Sequence, residues 1–158
     1  NVWKWIDYDN YNYPYAGAGS PDFSTNWIIL RHAESYLNDA EARLETGDVE
    51  GARKAVNMIR QRVGLPDLTE SDPEKLRELI RKERRIEFAF EEQRFYEVRR
   101  WKIGPETQTT LHGVRFVSPT EFKVTKTDIR TWNDRLYLTP VPHDEIVRSS
   151  VLKQNPGY

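Results

Sequence analysis

Two glutamates four residues apart, Glu83 and Glu87, with Glu91 continuing the row, are the carboxylates whose spacing invites a catalytic reading. On one helical face such a pair stands roughly 5–10 Å apart, the separation that glycoside hydrolysis uses for its two carboxyl groups. The surroundings argue for a different role. Arg84, Arg85, Arg94, Arg99 and Arg100 crowd the same segment, and carboxylates interleaved with guanidiniums are expected to form partly buried ion pairs that hold a helix to its neighbours. His32, His112 and His143 are scattered, without the i, i+4 spacing or the acidic partners of a metal site. Ser149-Ser150 lies in no nucleophile-elbow context, and the chain has no Gly-rich phosphate loop. Zero cysteines exclude a thiol nucleophile, a thiolate metal site and a disulfide scaffold, without fixing a compartment. The expectation is a chain with no catalytic residue, no metal and no cofactor.

A second chemistry is written into residues 1–26, where Trp3, Trp5, Tyr8, Tyr11, Tyr13, Tyr15 and Phe23 supply seven of the 19 aromatic residues. Sugar rings bind by laying their C–H faces on indole or phenol rings while hydroxyls meet Asn, Asp and Arg side chains. Trp3, Lys4, Trp5, Asp7, Tyr8, Asp9, Asn10 and Tyr11 offer both halves of that chemistry. The competing use of these rings is to cover a helical core, as large aromatics usually do. Trp132, flanked by Asn133 and Asp134, is a further candidate of the same kind. The candidate ligand-binding set is therefore Trp3, Trp5, Asp7, Tyr8, Asn10 and Trp132.

Bulk properties restrict the partner. The 158 residues carry 24 Lys plus Arg against 25 Asp plus Glu, a formal charge of -1, so a polybasic nucleic-acid binder is not the expectation. A mean hydropathy of -0.80 and 31% charged residues would suit disorder, but 12% aromatics and long periodic segments argue for a folded, polar-surfaced domain. No stretch approaches the 18 or so apolar residues of a membrane-spanning helix. The opening Asn1-Val2-Trp3, with neither an initiator Met nor a leader, reads as a fragment or processed product.

The elements that must position these groups are mainly helical. Residues 1–26 read as a loop, because Asn10, Asn12 and Pro14 interrupt the alternation of Tyr11, Tyr13 and Tyr15. Across 27–66, Ile29, Ala33, Tyr36, Leu37, Ala40 and Leu44 predict one helix, and Ala52, Ala55, Val56, Ile59 and Val63 a second. Gly47 stops the first, Asp48 caps the next, and a turn that tight makes the pair an antiparallel hairpin. Its spacing resembles a tetratricopeptide repeat, with Tyr36, Ala40, Gly47-Asp48, Ala52 and Val56 in place and Asp39 and Arg43 departing from the pattern. A long third helix over 72–103 starts at Ser71 or Asp72 before Pro73 and buries Leu76, Leu79, Ile80, Ile86 and Phe90. It continues through Phe95 and Val98 to Trp101 after a bend near Glu91-Glu92, and Gly104-Pro105 ends it. Residues 104–158 read as irregular, with short strands at Val114, Phe116, Phe122, Val124 and Leu136-Tyr137-Leu138, and a helical turn at Asp144-Glu145-Ile146.

Four ordered blocks carry a family resemblance. The run from Ile80-Arg81-Lys82-Glu83-Arg84-Arg85-Ile86-Glu87-Phe88-Ala89-Phe90-Glu91 to Arg94-Phe95-Tyr96-Glu97-Val98-Arg99-Arg100-Trp101 resembles the signature of SusD/RagB proteins. Leu30-Arg31-His32-Ala33-Glu34 with Asn38-Asp39-Ala40-Glu41-Ala42, then Asn57 to Pro66, resemble the helices before it. Tyr137-Leu138-Thr139-Pro140-Val141-Pro142 and the ending Gln154-Asn155-Pro156-Gly157-Tyr158 resemble the family's C-terminus. Glu92 stands where the family commonly has Gly, and His32 where it has Tyr. Family members are several hundred residues long, so the resemblance implies that residues 1–158 are the C-terminal part of such a domain.

The resemblance implies a mainly α fold with tetratricopeptide-like helix pairs as scaffold and irregular loops as the ligand face. It implies a surface-exposed lipoprotein of the outer membrane, its lipid-bearing Cys in the missing N-terminal part. Such a protein binds an oligosaccharide or polysaccharide and works with a TonB-dependent transporter in nutrient uptake, without enzymatic activity and without nucleic acid. Peptide cargo within the same family, or a protein-interaction scaffold that binds no glycan, are the alternatives. The shared blocks are architectural and transfer no ligand-binding residue, so the candidate site rests on the aromatic argument alone.

Overall fold

The computed structural model describes residues 28–158. The aromatic segment over 1–26, with Trp3, Trp5, Asp7, Tyr8 and Asn10, lies outside the described residues. The chain divides into two compact units at Arg84/Arg85.

In the first unit, α1 (His32–Glu45) and α2 (Val49–Arg62) form the expected helical hairpin. Gly47 takes φ +88°, a left-handed turn that costs glycine no Cβ clash. The Asp48 carboxylate then accepts a hydrogen bond from the Gly51 amide at 2.8 Å, capping α2. Ala33, Leu37, Ala40 and Leu44 of α1 meet Ala52, Ala55, Val56 and Ile59 of α2 in the buried core. Alanines on both faces let the two backbones approach closely. Two expected core residues are elsewhere: Ile29 precedes α1 and is exposed, and Val63 is the exposed C-cap of α2. Helical periodicity extrapolates past ends that the backbone sets.

The third helix, α3 (Pro73–Glu87), is capped by Asp72, whose carboxylate accepts from the Lys75 amide at 2.9 Å. Leu76 and Ile80 bury its stripe, and Glu83 and Arg84 hold the next turn. Ile86 is accordingly 60% exposed and Phe90 66% exposed, a correction to the expected stripe. Phe88, one residue past the helix end, is buried instead. The expected bend is present and abrupt. Phe90 and Glu92 adopt φ +66° and +62°, and the chain re-enters helix as α4 (Gln93–Arg100).

In the second unit α4 buries Val98 and Glu97, while Phe95 is exposed. Gly104-Pro105 opens a helix where the sequence suggested an ending: Lys102 at φ +54° has already broken α4, and Pro105 suits the first turn of α5 (Gly104–Gln108). Two strands, β1 (Thr110–Phe116) and β2 (Phe122–Ile129), pair antiparallel, with a bulge between Leu111 and His112. The Leu136-Tyr137-Leu138 run is not a strand. Asn133 caps a 3₁₀ turn over Asp134–Tyr137 by accepting from the Arg135 amide at 3.1 Å. The expected turn near Asp144 is α6 (His143–Arg148).

The last five residues act as a clasp. Gln154 meets both backbone groups of Val141: its Oε1 accepts from the amide at 2.8 Å and its Nε2 donates to the carbonyl at 2.9 Å. Asn155 Nδ2 donates to Thr139 O at 2.7 Å, and the Tyr158 hydroxyl to Leu138 O at 3.1 Å. The Pro140-Val141-Pro142 stretch cannot enter a regular ladder, and this side-chain clasp satisfies backbone groups around it.

Candidate functional site

The carboxylate that sequence spacing singled out is already occupied. Glu83 Oε2 accepts from Arg60 Nη1 at 2.7 Å, with the two side chains only 10% and 17% exposed. Arg60 also donates through Nε to the Pro66 carbonyl at 2.8 Å, so one guanidinium ties α2 to α3 and to the connection between them. At the next residue, Arg84 donates to Asn38 Oδ1 of α1 at 2.7 Å. Asn57 completes the framework from α2: its Oδ1 accepts from the Leu68 amide at 2.8 Å and its Nδ2 donates to the Leu68 carbonyl at 3.1 Å. The expected ion-pair role for Glu83 is therefore observed. Glu87, at the end of α3, is half-buried.

Polar pairs on the rim are of the ordinary exposed kind. Arg77 is raised above its usual range by the hydrogen bonds it donates to Glu45 first and Glu74 second. Asp48 is held below the usual carboxylate range, chiefly by the Gly51 amide and then by Arg43 at 2.9 Å. In the second unit, burial pushes Arg94 down, the Arg85 cation adds to this, and Glu97 at 3.9 Å opposes it.

Trp132 is not an open stacking platform on both faces. It is half-buried, with a ring centroid 5.0 Å from that of Tyr137, and a Cβ added to Gly104 would meet its indole at 2.1 Å. Tyr137 in turn accepts a hydrogen bond on its hydroxyl from the Gly104 amide at 3.2 Å. Gly104 is thus the position that makes room for the indole, a role its sequence context as a helix terminator did not reveal. Among the described residues the enclosed indole N–H has no hydrogen-bond partner.

An open polar depression lies at the start of α1, lined by Leu30, Arg31, His32, Glu34, Ser35 and Asn38. The sequence reading missed it because its residues are unremarkable singly and converge only where the chain enters α1. His32 is held edge-on against Tyr36 at 4.7 Å between centroids. His112 in β1 and His143 in α6 are both exposed. Among the described residues no group of three or more His, Cys, Asp or Glu side chains is placed to hold a metal ion, and no helix is long and apolar enough to cross a membrane.

A mainly α chain with a tetratricopeptide-like helical hairpin is the arrangement that the family resemblance implied. A family model described as the SusD family matches residues 2–158. The chain belongs to the SusD family. It is 36% identical over 155 residues to SusD-like protein P2 of Formosa agariphila, covering 90% of this chain and 28% of that protein. SusD-like protein P25 of the same organism is 31% identical over 172 residues, covering 95% of this chain and 31% of that protein. Among solved structures, a SusD-like protein from Bacteroides fragilis superposes over 100% of this chain and 30% of that chain, with a TM-score of 0.87 and 94% identity. A second, BT4246, gives a TM-score of 0.73 at 33% identity over 89% of this chain and 26% of that chain. The chain thus spans less than a third of the length of these SusD-like relatives. The mainly α fold expected of the family is the fold observed.

Proposed function

We propose that this chain serves in a SusD-type nutrient-binding protein, which holds a glycan at the outer-membrane surface and passes it unaltered to a TonB-dependent transporter. The family match over residues 2–158 carries this reading. The engagement of Glu83 by Arg60 at 2.7 Å gives that carboxylate a structural partner, in keeping with a binding role. In this reading residues 1–26 are the ligand segment, and the lipid anchor belongs to sequence outside these residues.

Trp3, Trp5 and Tyr8 supply the stacking rings, and Asp7 and Asn10 the hydroxyl partners. Trp132 is a separate candidate platform through what remains exposed of its ring. Each stacked ring contributes about 1–3 kcal/mol, by analogy with base stacking on aromatics, which makes binding modest and insensitive to salt. The polar depression beginning at Leu30 follows the aromatic segment closely in sequence, and Arg31, Glu34 and Ser35 give it groups suited to sugar hydroxyls.

The test is calorimetric titration of defined oligosaccharides against the full-length polypeptide and its Trp3→Ala and Trp5→Ala variants. Either replacement is expected to weaken binding by roughly tenfold or more, in line with the stacking magnitude above. Unchanged affinity in both would remove the aromatic segment from the site. Turnover of the glycan would overturn the binding-protein reading.

A further inference from the structure

Trp132 is the one member of the candidate ligand-binding set that falls within the described residues, and its neighbours hold it in place. Gly104 at the start of α5 leaves room for the indole, and the Tyr137 ring packs on it, tilted by 57° with the centroids 5.0 Å apart. The Tyr137 hydroxyl is itself fixed, accepting from the Gly104 amide at 3.2 Å. The orientation of the indole therefore depends on where the backbone carries Tyr137.

That backbone is the 3₁₀ turn over Asp134–Tyr137, four residues long. A turn so short has poor hydrogen-bond geometry and little cooperativity of its own. Beyond the Asn133 cap, it closes only through the Leu136 amide on Asn133 O at 2.9 Å and the Leu138 amide on Arg135 O at 3.1 Å. Further support comes from the C-terminal clasp. Arg135 Nη1 donates to Gly157 O at 3.4 Å, and its guanidinium stands 5.3 Å from the centroid of the Tyr158 ring. The Tyr158 hydroxyl donates to Leu138 O at 3.1 Å, so the clasp grips the turn at Arg135 and just past its end. Gly157 permits this approach: it takes φ +89°, and a Cβ there would meet Arg135 Cβ at 2.9 Å.

We propose that the C-terminal clasp positions Trp132 for stacking on a glycan. Arg135, Gly157 and Tyr158 set the 3₁₀ turn, the turn sets the Tyr137 ring, and that ring sets the orientation of the indole. Tyr158 and Gly157 touch no ligand in this scheme; they are positioning residues that act through Tyr137. A ring left free to reorient must give up that freedom on binding and loses affinity accordingly. The contacts run in series with one ring between the two ends, so removal of that ring must uncouple them. This inference rests on the reading of Trp132 as a stacking platform and adds what holds the platform still.

Fluorine NMR of the full-length protein labelled with fluorotryptophan reads the indole directly, the Trp132 resonance being identified by its loss in Trp132→Phe. Gly157→Ala and Tyr158→Phe are each expected to shift or broaden that resonance, while that of Trp101, the C-cap of α4, keeps its place. Tyr158→Phe deletes a single hydroxyl and carries the test should Gly157→Ala disturb the fold. In a Tyr137→Leu background, which lacks the ring and its hydroxyl, neither variant is expected to move the Trp132 resonance further. A Trp132 resonance unmoved by both variants, or one that still responds in the Tyr137→Leu background, would overturn the proposal. No glycan enters this experiment, so its failure is distinct from failure of the platform reading. Titration with the defined oligosaccharides used above tests the latter: Gly157→Ala is expected to weaken binding about two- to tenfold, the cost of ordering one side chain, and to add nothing in Trp132→Ala. Unchanged affinity in Trp132→Ala would remove the platform, and with it the role of the clasp in binding, even where the fluorine response is as expected.

Discussion

Glu83→Gln is the perturbation that most directly tests how the first unit is held. The substitution keeps the shape of the side chain and one hydrogen bond to Arg60, but removes the charge from a 2.7 Å contact. Breaking a fully buried pair by deleting one partner costs about 3–5 kcal/mol. With the two side chains 10% and 17% exposed, water partly compensates, and the range for a hydrogen bond to a charged group, about 1.5–3 kcal/mol, is the appropriate one. At about 2–4 °C per kcal/mol for a chain of this size, the melting temperature should fall by about 3–12 °C. Circular dichroism at 222 nm reads this, with Arg60→Gln and the double variant completing the cycle. The two single losses should not add, because either one already leaves the other partner without its counter-charge. A fall of under about 1 °C, or full additivity, would show that Arg60 and Glu83 do not act as a unit. Unchanged melting together with loss of a glycan-cleaving activity would instead revive the carboxylate as a catalytic acid.

Two other outcomes follow from the backbone and from proton linkage. Glu92→Gly should stabilise the chain by up to about 1 kcal/mol, since relief of a left-handed conformation worth about 1–2 kcal/mol outweighs the entropy glycine loses on folding; denaturant unfolding that shows Glu92→Gly less stable than the parent would contradict this strain argument. Asp48 is held below its usual range in the folded state, so its contribution is fully present above about pH 4 and is lost as pH falls through the depressed value. Helicity followed from pH 5 to 2 should therefore decline more steeply in the parent than in Asp48→Asn, and matching profiles would separate the cap from acid unfolding.

The helices of the first unit were legible because their determinants are local. Ala33, Leu37, Ala40 and Leu44 repeat at helical spacing, Gly47 permits the turn, and Asp48 and Asp72 cap the helices that follow. The break before α4 was legible in position, from the Glu91-Glu92 pair, and it survives without glycine because Glu92 itself takes the left-handed conformation. The C-terminal family block was legible as a resemblance, but the bonds from Gln154, Asn155 and Tyr158 to backbone groups within Leu138 to Val141 were not.

What sequence could not decide was partnership across distance. The ion-pair role of Glu83 was expected from the arginines of its own segment, but its partner proved to be Arg60, 23 residues away, and nothing in local spacing encodes that meeting. Ile86 and Phe90 matched the apolar period yet stand exposed, because Glu83 and Arg84 occupy the buried turn and Phe88 follows the bend inward. Gly104 read as a stop signal and proved to be the space into which Trp132 packs. Local propensity and capping act over a few residues and are written in order along the chain. Burial and charge pairing are set by which surfaces the folded chain brings together, so those assignments belonged to the tertiary structure alone.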